Sequence, residues 1–499
     1  MTGWGTGART LSPTLSQREG ERVDWGMASA ALTSRIELLR SQYSFPPGVL
    51  ERFERFLDSA SEEDLYRMSP LRYAAAHELS EHEGIDLFLR ATRIGLLEFT
   101  WGVLCPACAA FLATPAALRS LRQENCCQMC RLDFGLGDDN VEVAFNISPA
   151  VRRLRFHSPE SLDLHRDLET VAFSRSRRVP ALLRERVEGS FLDSATVAPG
   201  ASFRFTRTLA PASYYLTAPF QHAWAFFDVS EDAPSPELHL DLLEGRIVPN
   251  QPHVRAGEVS LVVHNRTSAP IQLLLGTQAV SQQQACAVVD VVRPQLLPYL
   301  NGKRLVTNQT FRELFRAESI PSEGGLEFKS LTVLFTDLKG STELYERIGD
   351  FRAYGLVREH FAVLRDIIAS RGGSLVKTIG DAVMASFAEP TPALEAATAM
   401  TREVRRVGRE GADLQLKVGL HSGPCIAVEL NERLDYFGQT VNLAARVQGV
   451  AQASEIAITE PVFSAPGAQD VIRAAALRAS REQALLKGVE GQVTLYRLR

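Results

Sequence analysis

No stretch of this 499-residue chain is apolar over the ~18 residues that a bilayer crossing requires. Residues 1–30 contain neither an apolar core nor a basic leader in front of one, so nothing there reads as a secretion signal. Strong charge of one sign is also missing. Lys and Arg number 54 against 59 Asp and Glu, and a net charge of −5 gives no electrostatic footprint for nucleic acid or an anionic membrane. Cysteine is scarce, at seven residues, which excludes a disulfide scaffold. These absences lead to the expectation of a cytoplasmic protein with neither membrane nor nucleic acid as a partner, in which the Asn-x-Thr triplets at Asn265 and Asn308 carry no glycan.

The chain is long enough for about three domains of roughly 150 residues, and its pattern changes along its length. Residues 1–30 are rich in Gly, Ser and Thr without hydrophobic period and read as a disordered extension, with Met27 as an alternative start. Residues 31–104 read as helical, from the spacing of Ile36, Leu38 and Leu39, of Val49, Phe53, Phe56 and Leu57, and of Ile85, Leu87, Phe88 and Leu89. Ser80-x-x-Glu83 is a capping-box candidate for the last of these helices. The cadence is that of a winged-helix unit, yet acidic residues outnumber basic ones there, which favours a packing or protein-interaction module over a DNA reader. Residues 140–285 change to period two at Val141, Val143, Phe145 and Ile147. Further strands are expected over 203–209, 223–229, 238–243 and 259–264, in an antiparallel β-rich domain. Residues 286–324 read as a connector with an amphipathic stretch around Phe311, Leu314 and Phe315.

Five of the seven cysteines fall within 105–130. Cys105-x-x-Cys108 and Cys127-x-x-Cys130 have the spacing of a zinc ribbon, in which two turns each present a thiolate pair to one tetrahedral ion. Residues 105–139 are therefore expected to hold a structural Zn2+ on Cys105, Cys108, Cys127 and Cys130, with Cys126 as a spare. The other reading is four small buried hydrophobes.

Three segments after residue 325 carry chemistry. Thr332-Val-Leu-Phe335 is a continuous apolar run, as in a strand buried on both faces, and leads to Asp337; Gly340, Ser341 and Thr342 then precede a helix whose free N–H groups suit phosphate. Two short strands between Ser374 and Phe387 are broken at Gly380-Asp381 and carry Lys377. Asp435 leads into a helix on which Asn442 and Arg446, four residues apart, share a face. Taken singly, Asp337 is equally a turn or cap residue, Gly-Asp a hairpin turn, and the Asn/Arg pair a solvated surface. Taken together, Asp337 and Asp381 are two carboxylates that could hold two divalent ions for displacement at phosphorus, while Asn442 would orient a ribose and Arg446 meet charge on a phosphate.

These segments resemble the class III nucleotide cyclases. The shared motifs are Phe335-Thr336-Asp337, Lys377-Thr-Ile-Gly-Asp381, and Asp435-Tyr-Phe-Gly438-Gln-Thr-Val-Asn442-Leu-Ala-Ala-Arg446, with Gly419-Leu-His421-x-Gly423 and Leu486-Lys487-Gly488 in support. The resemblance covers 325–499 and implies an α+β, ferredoxin-like, palm-type catalytic domain. By position it makes Asp337, Asp381 and the backbone carbonyl of Leu338 ligands of two Mg2+ (or Mn2+), Lys377 and Asp435 the adenine readers, Asn442 and Arg446 the transition-state residues, and Lys487 a triphosphate contact. It implies conversion of ATP to cyclic AMP and pyrophosphate in a head-to-tail homodimer, with carboxylates from one subunit and base readers and the Asn/Arg pair from the other. Adenine offers an N6 donor to Asp435 and an N1 acceptor to Lys377; guanine reverses both signs, and each mispaired buried group costs about 1–3 kcal/mol. The N-terminal region would then be regulatory. Two other readings stay open: a cyclase-like nucleotide-binding regulator without turnover, and a DNA-binding regulator acting through the helical and cysteine-rich segments.

Overall fold

The structure, a computed structural model, describes residues 30–114, 124–128, 132–135, 140–158, 162–178, 189–249, 252–277, 295–315, 326–339, 346, 349–407, 415–430 and 433–499. The expected disordered extension, Met27 included, lies outside the described residues apart from residue 30, and so do Cys130, Gly340, Ser341 and Thr342.

The N-terminal region opens on five helices: α1 (residues 30–42), α2 (Val49–Ser59), α3 (Glu62–Leu65), α4 (Pro70–Ala76) and α5 (Glu81–Arg93). The capping box at α5 is formed as the sequence suggests, with Glu83 N–H donating to Ser80 Oγ at 3.2 Å and Ser80 N–H to the Glu83 carboxylate at 2.9 Å. Gly84, Ile85, Leu87, Phe88, Leu89 and Ala91 of α5 are buried and its first turn carries Glu81 and Glu83, so its faces are committed to packing.

The helical reading of 31–104 needs a correction at its end. From Leu97 the chain is a strand, β1 (Leu97–Leu104), because Leu97, Phe99, Trp101 and Val103 alternate along it. After β2 (Phe111–Ala113) and the hairpin β3 (Glu124–Cys127) and β4 (Leu132–Gly135), the strand β5 (Val141–Ile147) returns to pair antiparallel with β1, from Leu97↔Ile147 to Val103↔Val141. Residues 141–147, expected at the head of the β-rich domain, thus complete the sheet beneath the helices.

Helix α6 (Leu164–Ala172) and β6 (Arg177–Arg178) lead into a two-sheet sandwich. Its strands are β7 (Phe191–Val197), β8 (Ser202–Leu209), β9 (Ala212–Ala218), β10 (Ala223–Ser230), β11 (Glu237–Leu243), β12 (Arg246–Val248), β13 (His253–Arg255), β14 (Gly257–Asn265) and β15 (Ile271–Thr277). They order as β13-β10-β9-β15-β7 and β12-β11-β14-β8. Phe205, Leu216, Phe227, Leu240, Leu261 and Leu273 fill the space between the sheets. The expected antiparallel order holds except where β10 meets β13 and β11 meets β14, both parallel. The connector contributes β16 (Gln295–Leu296) and two short helices, α7 (Gly302–Val306) and α8 (Gln309–Leu314).

The C-terminal region is built on β17 (Leu326–Lys339), followed by α9 (Asp350–Ser370), β18 (Ser374–Ile379), β19 (Ala382–Phe387), α10 (Pro390–Val407), β20 (Gln415–Leu430), β21 (Arg433–Phe437), α11 (Gln439–Val450), β22 (Ile456–Thr459), α12 (Glu460–Phe463), α13 (Ala468–Ala474), β23 (Ala479–Leu485) and β24 (Gln492–Leu498). The sheet runs β18-β19-β17-β20-β22-β24-β23, with β21 paired to β20. Both faces of β17 are covered. Leu334 and Leu338 join the core under α9 and α10, whereas Leu331, Val333 and Phe335 join a second cluster. That second cluster is continuous with the N-terminal module: it also contains Phe53, Phe88, Trp101, Phe145 and Phe311, together with Phe328, Cys425 and Tyr436 of the C-terminal region.

Candidate active site

The two carboxylates are brought together by strand register. Thr336 faces Val383 across β17 and β19, and Val383 N–H donates to Thr336 Oγ1 at 3.2 Å. The β18–β19 turn, where Gly380 takes φ 64°, therefore lies beside Asp337 and presents Asp381. Burial raises the pKa of Asp337, the charge of Asp381 adds to the rise, and Lys417 and Gln448 oppose it. Lys417, opposite Asp337 on β20, stands 3.8 Å from its Oδ2. Asp381 Oδ2 is buried without a hydrogen-bond partner. Two carboxylates that repel one another, one carrying an orphaned buried oxygen, form a donor set suited to hard divalent cations. Leu338 turns its side chain into the core, leaving only its backbone to face this edge.

Lys377 on β18 and Asp435 on β21 are brought together directly, Nζ to Oδ2 at 2.6 Å. The Asp435 side chain is 12% exposed and that of Lys377 42%. The second Asp435 oxygen accepts from Tyr436 N–H at 2.8 Å, which fixes the carboxylate plane. Among the described residues, no ion pair or hydrogen bond joins the Lys377/Asp435 pair to the Asp337/Asp381 pair.

Asn442 and Arg446 are exposed one turn apart on α11. Gly419 lets this helix lie against β20, since a Cβ there would stand 2.1 Å from the Gln448 backbone nitrogen. Lys487 is exposed next to the buried Leu486. Gly340, Ser341 and Thr342 lie outside the described residues.

Sequence reasoning missed three residues around the carboxylates. Lys417 and Gln448 reach Asp337 only through register and helix packing. His360 of α9 is fully buried with both ring nitrogens unpartnered; burial pushes its pKa down to about 4, and Asp381 acts in the opposite direction. The only signal for His360 was a polar residue on the apolar face of a long helix.

In the N-terminal region Cys105, Cys108 and Cys127 are buried, with sulfur atoms all within 4.8 Å of one another and Cys108 Sγ 3.8 Å from Cys127 Sγ. Cys126 is exposed, and its thiol is pushed up to about 11 chiefly by a hydrogen bond with Asp133. Its side chain therefore serves the β3–β4 hairpin, not the cluster.

This C-terminal sheet with its motif residues is a class III adenylate and guanylate cyclase catalytic domain, and residues 326–499 match the model of that domain. The chain belongs to a family of unknown function, DUF5939, whose model matches residues 31–313. That one model spans the helices, the cysteine cluster, the sandwich and the connector helices together. An uncharacterized protein of Mycobacterium tuberculosis is 38% identical over 122 residues, covering 24% of this chain and 30% of its own length. A pH-sensitive adenylate cyclase of the same species is 28% identical over 232 residues, covering 46% of this chain and 54% of its own. The chain thus spans about a third to a half of the length of these curated relatives. The crystal structure of the adenylyl cyclase CyaB from P. aeruginosa matches 34% of this chain and 94% of that one, at 25% identity and a TM-score of 0.31.

Proposed function

We propose that the protein is an adenylyl cyclase that converts ATP to 3′,5′-cyclic AMP and pyrophosphate at sites completed by a second copy of the chain. The observation that carries this is the partition of the site residues: a repelling carboxylate pair on β17 and the β18–β19 turn, and a separately bonded Lys377/Asp435 pair joining β18 to β21. Asp337, Asp381 and the Leu338 carbonyl would hold two Mg2+ or Mn2+ ions. Bound there, such ions lower the pKa of the ribose 3′-hydroxyl and neutralise the departing pyrophosphate. Asp435 accepts from the adenine N6 group and Lys377 donates to N1. Asn442 orients the ribose, Arg446 meets charge growing on the α-phosphate, and Lys487 with Gly340, Ser341 and Thr342 holds the triphosphate.

Exposed apolar surface supports the two-fold assembly. Ile379, Leu430 and Phe437, 53%, 47% and 49% exposed, flank the site residues, and Leu485 and Phe351 reach 77% and 91%. Such side chains clustered beside functional groups suit a protein interface. The test is turnover of purified protein with ATP or GTP and Mg2+ or Mn2+, with cyclic product read by mass. Asp337→Ala and Arg446→Ala chains are each expected to be inactive. Mixed in equal amounts, random pairing gives half heterodimers with one intact site of two, so about a quarter of wild-type turnover should return. No recovery on mixing, with both chains dimeric, would overturn the shared-site arrangement.

The cysteine cluster supports a structural zinc site. Tetrahedral Zn–S bonds of about 2.3 Å place sulfurs ~3.8 Å apart, which is the Cys108–Cys127 separation of 3.8 Å. The sequence spacing assigns the fourth position to Cys130. The cluster shares a core with Leu164, Leu168, Tyr215, Trp224 and Leu274, so the ion would fasten the β1 and β3 ends to the sandwich. One zinc per chain is expected by elemental analysis, lost in Cys108→Ser, with a fall in Tm of roughly 5–10 °C (about 3 kcal/mol for a unit of this size). Wild-type protein without metal, and insensitive to chelator, would return the cluster to simple buried packing.

A further inference from the structure

The two strands that carry Lys377 and Asp435 are fastened by residues that precede the catalytic domain. Helices α7 and α8 belong by packing to the N-terminal module. Arg304 pairs with Glu81 of α5, and Phe311 and Phe315 pack edge-on against Phe99 of β1, with ring centroids at 6.1 and 5.0 Å. Side-chain caps hold both short helices: Asn301 accepts from Arg304 N–H and Asn308 from Phe311 N–H, each at 2.9 Å.

On its other side the same segment pairs Lys303 with Glu389 at 3.2 Å and makes three further hydrogen bonds to the catalytic domain that fall next to the proposed base readers. Leu375 N–H, two residues before Lys377, donates to Gln309 Oε1 at 2.8 Å. Arg312 Nη2 donates to the carbonyl of Leu434, immediately before Asp435, at 2.6 Å. Tyr436 Oη, immediately after Asp435, donates to the carbonyl of Val306 at 3.2 Å. The β18–β19 ladder shifts register between Leu375 and Lys377, so sheet pairing alone does not define where Lys377 stands. A buried hydroxyl chain then ties the two strands together: Ser374 bonds Ser386 at 3.0 Å, and Ser386 Oγ donates to Tyr436 Oη at 3.3 Å.

We infer that Gln309, Arg312 and Tyr436 are positioning residues for nucleotide-base recognition: they hold the Lys377 and Asp435 backbones at the spacing that reads adenine, and so couple the N-terminal module to substrate selectivity. This rests on the cyclase reading above and deepens it. A simple joint between two domains could have been made anywhere on the sheet edge. Apart from the Lys303–Glu389 pair, these contacts bracket Asp435 on both sides and reach the irregular part of β18. Displacement of a reading group by about 1 Å costs on the order of 10²-fold where geometry governs the reaction. The carboxylates Asp337 and Asp381 receive none of these three bonds, so metal binding is expected to respond less to their loss than base recognition.

The test uses the full-length protein with Arg312→Met, which removes the donor at similar length, Arg312→Lys, which keeps one, and Gln309→Leu as an independent break at the other strand. kcat and KM are measured with ATP and with GTP, alongside Tm and Mn2+ binding. The expected result is a KM for ATP raised about 10–100-fold in Arg312→Met and Gln309→Leu, with a smaller change in kcat, and a fall of at least about 10-fold in the ATP:GTP ratio of kcat/KM. Mn2+ affinity should be unchanged, and Arg312→Lys should recover most of the selectivity. Should Arg312→Met fail to fold, Gln309→Leu carries the same expectation. Equal losses with ATP and GTP, or an unchanged ratio in a wild-type background that makes cyclic AMP, would reduce these contacts to structural packing and overturn the inference alone. Wild-type protein making no cyclic product from either nucleotide would overturn the parent reading and this inference with it.

Discussion

Replacing Asp381 by alanine is expected to lower cyclase turnover by about 10³-fold or more, some 4 kcal/mol of transition-state stabilisation, while leaving the folded protein as stable as before or slightly more so. The two halves of this expectation have one cause. Asp381 Oδ2 is buried without a partner, and its charge helps to raise the pKa of Asp337. A buried unpaired carboxylate oxygen disfavours the metal-free fold by about 1–3 kcal/mol, so Asp381 contributes nothing there that alanine would forfeit. Its position would become favourable if it and Asp337 together held a divalent cation. The measurements are cyclic product by mass, Mn2+ binding by electron paramagnetic resonance, and thermal melting without divalent ions. Turnover within ten-fold of wild type would remove Asp381 from the metal site. A clear fall in Tm would instead make it a structural residue of the β18–β19 turn.

The parts of the molecule that could be read in the sequence were those fixed by short-range periodicity. The strand leading to Asp337 was visible because Thr332-Val-Leu-Phe335 runs without interruption where both faces are covered, and Leu334 and Val333 do fall into opposite cores. The capping box of α5 and the sandwich strands after 203 were visible for the same local reasons. The pairing of β1 with β5 was not, because a cysteine-rich insertion separates them and nothing local marks the partner of an alternating strand. Asp337, Asp381, Lys377, Asp435, Asn442 and Arg446 were named from motif spacing, but the groups that oppose the rise in the Asp337 pKa, the Lys417 ammonium and the Gln448 hydrogen bond, lie far along the chain and are aligned only by register and helix packing. The shared core between the two halves was hidden for a related reason. Phe328 and Tyr436 look in sequence like interior residues of a single domain, and only packing shows that Val306 and Arg312 lie against Tyr436.

Exchanging the base readers is expected to invert substrate preference. Guanine presents an acceptor at position 6 and donors at positions 1 and 2, so Lys377→Glu supplies the acceptor for N1–H and N2–H, and Asp435→Cys removes the carboxylate that would oppose O6. For ATP the double change replaces two matched contacts by mismatched ones, at about 1–3 kcal/mol each, or roughly 30- to 10⁴-fold in kcat/KM. GTP should gain what ATP loses in sign, leaving the ATP:GTP ratio reversed. The single variants should not behave as halves of the pair. In the wild-type protein Lys377 Nζ lies 2.6 Å from Asp435 Oδ2, so Lys377→Glu alone sets two carboxylates against each other in a site where one of them is only 12% exposed. That variant should be less stable than the double and poor with both nucleotides. Asp435→Cys alone loses the acceptor for Tyr436 N–H, at 2.8 Å in the present structure, which should cost about 1 kcal/mol of stability. A double-mutant cycle in kcat/KM and in Tm therefore separates recognition from structure. Strong non-additivity in both, with cyclic GMP the main product of the double variant, would establish the 2.6 Å pair as the base-reading element. Additive losses with ATP still preferred would mean that the base is read elsewhere and that Lys377 and Asp435 form a structural ion pair between β18 and β21.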